Sequence, residues 1–106
     1  MEFAFLNKEI RNICEDENKA KEDLGEEVAR ILKIRLADLF AATSVFDIIL
    51  GDPKELITEG KFEFKVDICN GYQLIFSPNH VKNPLTRKNT IDWLKVNRIK
   101  IIKIDK

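Results

Sequence analysis

The lysines of "KFEFKVDI" and the glutamine of "GYQLIF" are the side chains of this chain best placed to meet an anion. In an extended strand, alternate residues share a face, so Lys61, Glu63, Lys65 and Asp67 point the same way. Ammonium groups beside carboxylates can stabilise developing negative charge and move protons. A second basic set follows in a long polar stretch, with Lys82, Arg87 and Lys88, and a third in "RIKIIKID", with Arg98, Lys100 and Lys103. These six suit a phosphate backbone. Residues 61–106 hold 10 basic and 4 acidic side chains, against 8 and 14 in residues 1–60, so the positive charge is concentrated in the second part. The ordinary reading of any one of these lysines is a solvated surface residue.

Other side chains carry weaker signals. His80 is the single histidine, and histidine titrates nearest neutrality. With no partner in sight in its loop, an incidental role is the commoner expectation. Trp93 introduces the last apolar stretch and is expected to anchor packing. Lys106 ends the chain and reads as part of a frayed basic tail. The two cysteines, Cys14 and Cys69, have neither CxxC nor zinc-type spacing and are expected to be free thiols in a reducing compartment. There is no phosphate-binding glycine loop, dinucleotide fingerprint, HExxH or nucleophile triad, so neither a metal nor another cofactor is expected.

The elements that must hold these residues are legible from periodicity. "MEFAFL" reads as a short strand. Asn7 is expected to cap a helix over "KEIRNICE", with Ile10, Ile13 and Cys14 on one face. "DENKAKED" is a polar break or the exposed end of that helix. From Gly25 to Ala42, Leu24, Val28, Ile31, Leu32, Leu39 and Phe40 form an apolar stripe. Ser44 can cap a short helical turn that stops at Gly51, and Asp52-Pro53 reads as the N-cap and first residue of another. Three strands follow: "KFEFKVDI", "YQLIFS" and "RIKIIKID". The predicted fold is α+β, with the N-terminal strand and a helix hairpin packed on one face of a small antiparallel sheet. At 106 residues, 44% hydrophobic and 34% charged, a single soluble domain over 1–106 is expected. No apolar run is long enough to span a membrane, and no signal peptide opens the chain, so the expected location is the cytoplasm.

The turn at "CNGY" decides which face Gln73 joins. A two-residue Asn70-Gly71 loop pairs Lys65 with Phe76 and mixes charged and apolar residues on both faces. A three-residue loop, Cys69 to Gly71, pairs Ile68 with Tyr72. It collects Phe62, Phe64, Val66, Ile68, Tyr72, Leu74 and Phe76 on one face, and leaves Gln73 with the lysines on the other. The second arrangement is expected, with Gly71 at positive φ in a bulge. In the last strand, Ile101-Ile102 breaks the alternation. Either a bulge lies there or the strand is buried on both sides, and the pattern leaves open whether Arg98 and Lys100, or Lys103 and Asp105, face outward.

Taken in order, the helix hairpin, "ILGDPKEL", "DICNGYQLIF" and "IDWLKVNRIKIIKI" resemble the HigB-like branch of the RelE/ParE superfamily, the toxins of bacterial type II toxin–antitoxin systems, among them plasmid maintenance killer proteins. The resemblance covers nearly the whole chain. It implies a RelE-like fold whose open sheet face cleaves mRNA on the ribosome as a metal-independent endoribonuclease (an mRNA interferase). It also implies a cognate antitoxin partner, commonly of helix-turn-helix type. On this reading Lys61, Lys65 and Gln73 are the catalytic candidates, and Lys82, Arg87, Lys88, Arg98, Lys100 and Lys103 bind RNA. Gln73 stands where the family's common form has arginine. "IDK" stands where many members carry an aromatic or histidine residue. These departures keep a second expectation open: a RelE-fold protein of weak catalysis that binds its antitoxin, or inhibits gyrase as the ParE branch does.

Overall fold

The structure, a computed structural model, describes residues 1–58 and 60–106, with only the backbone described at Thr58. Strand β1 (Glu2–Phe5) leads into helices α1 (Lys8–Glu15), α2 (Glu17–Leu24) and α3 (Glu26–Ala41). Strands β2 (Lys54–Thr58), β3 (Lys61–Asp67), β4 (Gln73–Pro78) and β5 (Arg98–Asp105) complete one five-stranded sheet in the order β1-β5-β4-β3-β2.

The expected α+β class holds, and the sheet is mixed. Strands β2 to β5 pair antiparallel, while β1 runs parallel to β5 and closes the far edge. The helix hairpin is a three-helix run. Asp16 both ends α1 and starts α2: its N–H donates to the Asn12 carbonyl, and its carboxylate accepts from the N–H groups of Asn18 and Lys19. Asn7 caps α1 as expected, its Oδ1 accepting the Ile10 N–H at 2.9 Å. Helix α3 starts with Glu26 and Glu27, which suit the positive end of the helix dipole.

The core lies between α3 and one face of the sheet. Val28, Leu32 and Leu39 meet Phe64, Val66, Leu74, Phe76, Ile99 and Ile101. Phe40 was expected in that stripe and is 71% exposed. It follows Leu39 by one residue, about 100° round the helix from the buried stripe, and lies edge-on to the Phe3 ring instead. Trp93 is the expected packing anchor: it is buried edge-on to Phe64 and Phe76, and its indole N–H donates to the Glu55 carboxylate.

Two further expectations are corrected. Ser44 does cap a short 3₁₀ turn, but the turn is Val45–Asp47 and ends before Gly51. Asp52-Pro53 starts no helical turn. Asp67 N–H donates to the Gly51 carbonyl at 2.6 Å, and from Lys54 the chain pairs along β3. The strand ladder satisfies backbone groups that a cap would have left to solvent. The "CNGY" turn combines both sequence readings. Asn70 and Gly71 are both at positive φ (53° and 82°), as in a type I′ turn, yet Asp67 pairs with Gln73 and Val66 with Leu74. Ile68 and Cys69 both face Tyr72, through Ile68 N–H to the Tyr72 carbonyl and Tyr72 N–H to the Cys69 carbonyl. The bulge is therefore on the β3 side, and the register is that of the three-residue loop.

Candidate functional site

The face of the sheet turned away from α3 is built in cross-strand rows, because paired residues share a face. The register between β4 and β5 shifts at Ile75/Phe76: Ile75 pairs with Lys103, and Phe76 with Ile101. Ile102 is thus the extra residue of a β-bulge, which answers the question left by "IKIIKI". Because of it, Arg98, Lys100, Lys103 and Asp105 all join the open face, where a regular strand would have turned one pair toward the helices.

Three rows result. At one end, Ser77 pairs with Lys100, and Leu56 with Glu63. The middle row is Lys54, Lys65, Ile75 and Lys103. At the other end, Gln73 lies between Asp67 and Asp105.

The first row opens into a groove of about 410 Å³, lined chiefly by Lys61, Glu63, Ser77, Asn83, Lys100 and Ile102. Neither Lys61 nor Lys100 makes an ion pair among the described residues. The groove therefore brings together two ammonium groups, a hydroxyl and a carboxylate.

Lys65 has different surroundings. It is 7% exposed, donates to Asp67 Oδ1 at 2.9 Å, and lies 3.5 Å from Asp52 Oδ2. The hydrogen bond to Asp67 holds its ammonium above the ordinary lysine range, against the opposing effect of burial. Asp67 also accepts from Gln73 Nε2 at 3.4 Å. The Asp67 backbone is clamped in turn, its carbonyl accepting from Arg35 Nε at 2.9 Å. Lys65 and Gln73 thus belong to one charge-compensated network.

The remaining sequence candidates divide. Arg98 pairs with Glu2 at 3.1 Å on the exposed sheet edge. Lys82, Arg87 and Lys88 are exposed on the loop after β4. There Thr86 and Thr90 close a tight hairpin, with their hydroxyls 2.7 Å apart and a Thr86 N–H to Thr90 carbonyl bond of 2.8 Å, holding Arg87 and Lys88 at its tip. His80 ties the loop together: its N–H donates to Asn83 Oδ1, and its Nε2 accepts the Asn97 N–H. Lys106 lies over the Tyr72 ring, 5.1 Å from its centroid. Among the described residues, no group of three or more His, Cys, Asp or Glu is placed to hold a metal ion.

Sequence reasoning assigned Ser77 no role, although alternation along β4 puts it on the face of Gln73. It missed Lys54 and Asn83. Lys54 was legible in the alternation of "KELIT", which the Asp-Pro signal obscured. Asn83 comes to the groove through the loop's fold, for which the chain carries no periodic signal.

No family model matches the chain, and no curated protein matches it. Among solved structures it is similar to a chain of a "YoeB-YefM complex from Staphylococcus aureus", with a TM-score of 0.61 and 11% sequence identity, covering 100% of this chain and 95% of that one. A second match, with the same figures, is described as a heterotetrameric YoeB-YefM toxin-antitoxin complex from Staphylococcus aureus. At this identity the likeness is one of fold.

Proposed function

We propose that the chain is the toxin of a bacterial type II toxin–antitoxin pair and cleaves ribosome-bound mRNA. The observation that carries this reading is the groove between Lys61 and Lys100, in a fold similar to a chain of a toxin–antitoxin complex. The HigB-like branch is favoured by "ILGDPKEL" and "DICNGYQLIF" alone.

RNA carries its own nucleophile. In the proposed step, Glu63 accepts the proton of a 2′-OH as that oxygen attacks the adjacent phosphorus. Lys61 and Lys100 stabilise the dianionic phosphorane. A lysine ammonium then protonates the departing 5′-oxygen, leaving a 2′,3′-cyclic phosphate and a 5′-OH. Lys54 and Lys103 extend the cationic track across the face, with Arg87 and Lys88 gripping RNA further out. Lys65 in the middle row and Gln73 at the more neutral end, both held by Asp67, support the face.

One observation favours a second reading. Gln73 lies between Asp67 and Asp105, where a phosphate would be repelled. On that reading the chain binds its antitoxin, or inhibits gyrase, with little or no RNA cleavage. Inducible expression with and without the neighbouring gene separates the two. Growth arrest with new 5′-OH ends in ribosome-bound mRNA supports the nuclease. Arrest with intact mRNA and DNA damage supports gyrase, and no arrest sinks both toxic readings.

A further inference from the structure

Across the sheet from the basic groove, two large apolar side chains stand in solvent. Ile49 is 88% exposed and its neighbour Leu50 is 57% exposed. They wall a second groove of about 390 Å³, whose remaining lining is Ala41, Ala42 and Ile48, with Asp38 and Asp47. Ala41 and Asp38 lie one turn apart on the last stretch of α3, and Asp47 ends the 3₁₀ turn. Among the described residues, no lysine or arginine lines this groove.

The two carboxylates are arranged differently. Asp38 is exposed at the helix end. Asp47 is fixed, its Oδ2 accepting from Thr43 Oγ1 at 2.6 Å and Thr43 N–H at 2.8 Å. Those bonds, with that to the hydroxyl first, hold it below the ordinary carboxylate range. An apolar cleft with two carboxylates and no cation selects against a second copy of itself. A symmetric pair would bring like charges together as it buried the same leucine and isoleucine.

We infer that this groove docks a segment of the antitoxin in which one or two apolar side chains enter beside Ala41, Ile49 and Leu50, and a flanking lysine or arginine pairs with Asp38 or Asp47. The inference rests on the toxin–antitoxin reading and names the surface that reading leaves open. Docking by this chemistry buries the exposed pair and places opposite charges at its rim, which fixes register as well as affinity. The sheet separates this groove from the lysine face.

The test co-expresses the chain with the product of the adjoining gene and measures the dissociation constant of the purified complex. Ile49→Asp and Asp38→Lys alter exposed side chains, and a thermal melt checks that both variants stay folded. Both are expected to weaken the complex, Ile49→Asp by roughly tenfold or more. Lys21→Ala, at an exposed position of α2 outside both grooves, is expected to leave it unchanged. A wild-type complex that neither groove variant weakens overturns the docking surface while the toxin–antitoxin reading stands. Failure of the wild-type chain to bind the adjoining product overturns both. A dimer of the isolated chain that Ile49→Asp splits would assign the groove to a second copy and overturn the inference.

Discussion

Lys61 and Lys65 lie four residues apart on β3, about 13 Å along one face. Their surroundings give them different work. Lys65 is buried between Asp67 and Asp52, while Lys61 lines an open groove with Lys100 and Glu63. Removing Lys61 or Lys100 is expected to slow RNA cleavage about 10²-fold, measured on a defined oligonucleotide, because each removes charge from the phosphorane's position. Lys65→Met is expected to change it far less. Its cost in stability should be about 1 kcal/mol or below, since the two aspartates it leaves remain partly hydrated. Lys65 has its pKa raised in the fold, so its pairing stabilises fully below the ordinary lysine value of 10.5 and is lost as pH rises through the raised one. The difference in Tm between wild type and Lys65→Met should therefore shrink in alkali. Cys14 provides a separate check. Burial, with the Glu15 charge adding to it, pushes its thiol up to about 12. Native Cys14 should react with a disulfide reagent at pH 8 far more slowly than it does in urea.

At the scale of elements, the open face depends on a few irregular backbone sites. Gly51, at φ 89°, passes so close to β3 that a Cβ there would meet Val66 Cγ1 at 2.5 Å and the Asp67 carbonyl at 2.8 Å. Gly51→Ala is expected to cost about 2–4 kcal/mol in urea unfolding, from positive φ and overpacking together. It should also loosen the Asp67 network. These sites also mark how far the sequence could be read. The face assignment of β3 and β4 was legible because one register separates Phe64, Val66, Leu74 and Phe76 from Lys65 and Gln73, and a slip would bury charge. The turn chemistry was less so: Asn70-Gly71 forms the usual two-residue turn, and an added bulge at Ile68-Cys69 restores the register that patterning demanded. The alternation of β5 signalled a defect at Ile101-Ile102, and cross-strand pairing was needed to show that it brings Lys100 and Lys103 to the same side. Strand β2 went unread because its pairing with β3 is a tertiary interaction that overrides a local Asp-Pro signal.

At the scale of the molecule, charge is divided between two layers. The acidic N-terminal part supplies the helices, and the basic C-terminal part supplies most of the lysine face. On the proposed reading, a chain of zero net charge attracts RNA on one side and a basic partner segment on the other. RNA binding by a cleavage-deficient variant should weaken steeply with salt. The slope should fall by about 0.7 for each phosphate-contacting lysine removed, read from titrations at several salt concentrations.

The most direct measurement is a map of 5′-OH ends in ribosome-bound mRNA after induction, comparing wild type with the Lys61→Ala, Lys100→Ala double variant. The account predicts new ends within coding regions for the wild type, and their loss in a double variant that still folds and still binds the adjoining gene's product. Growth arrest without new ends, or the same ends from both proteins, would contradict it.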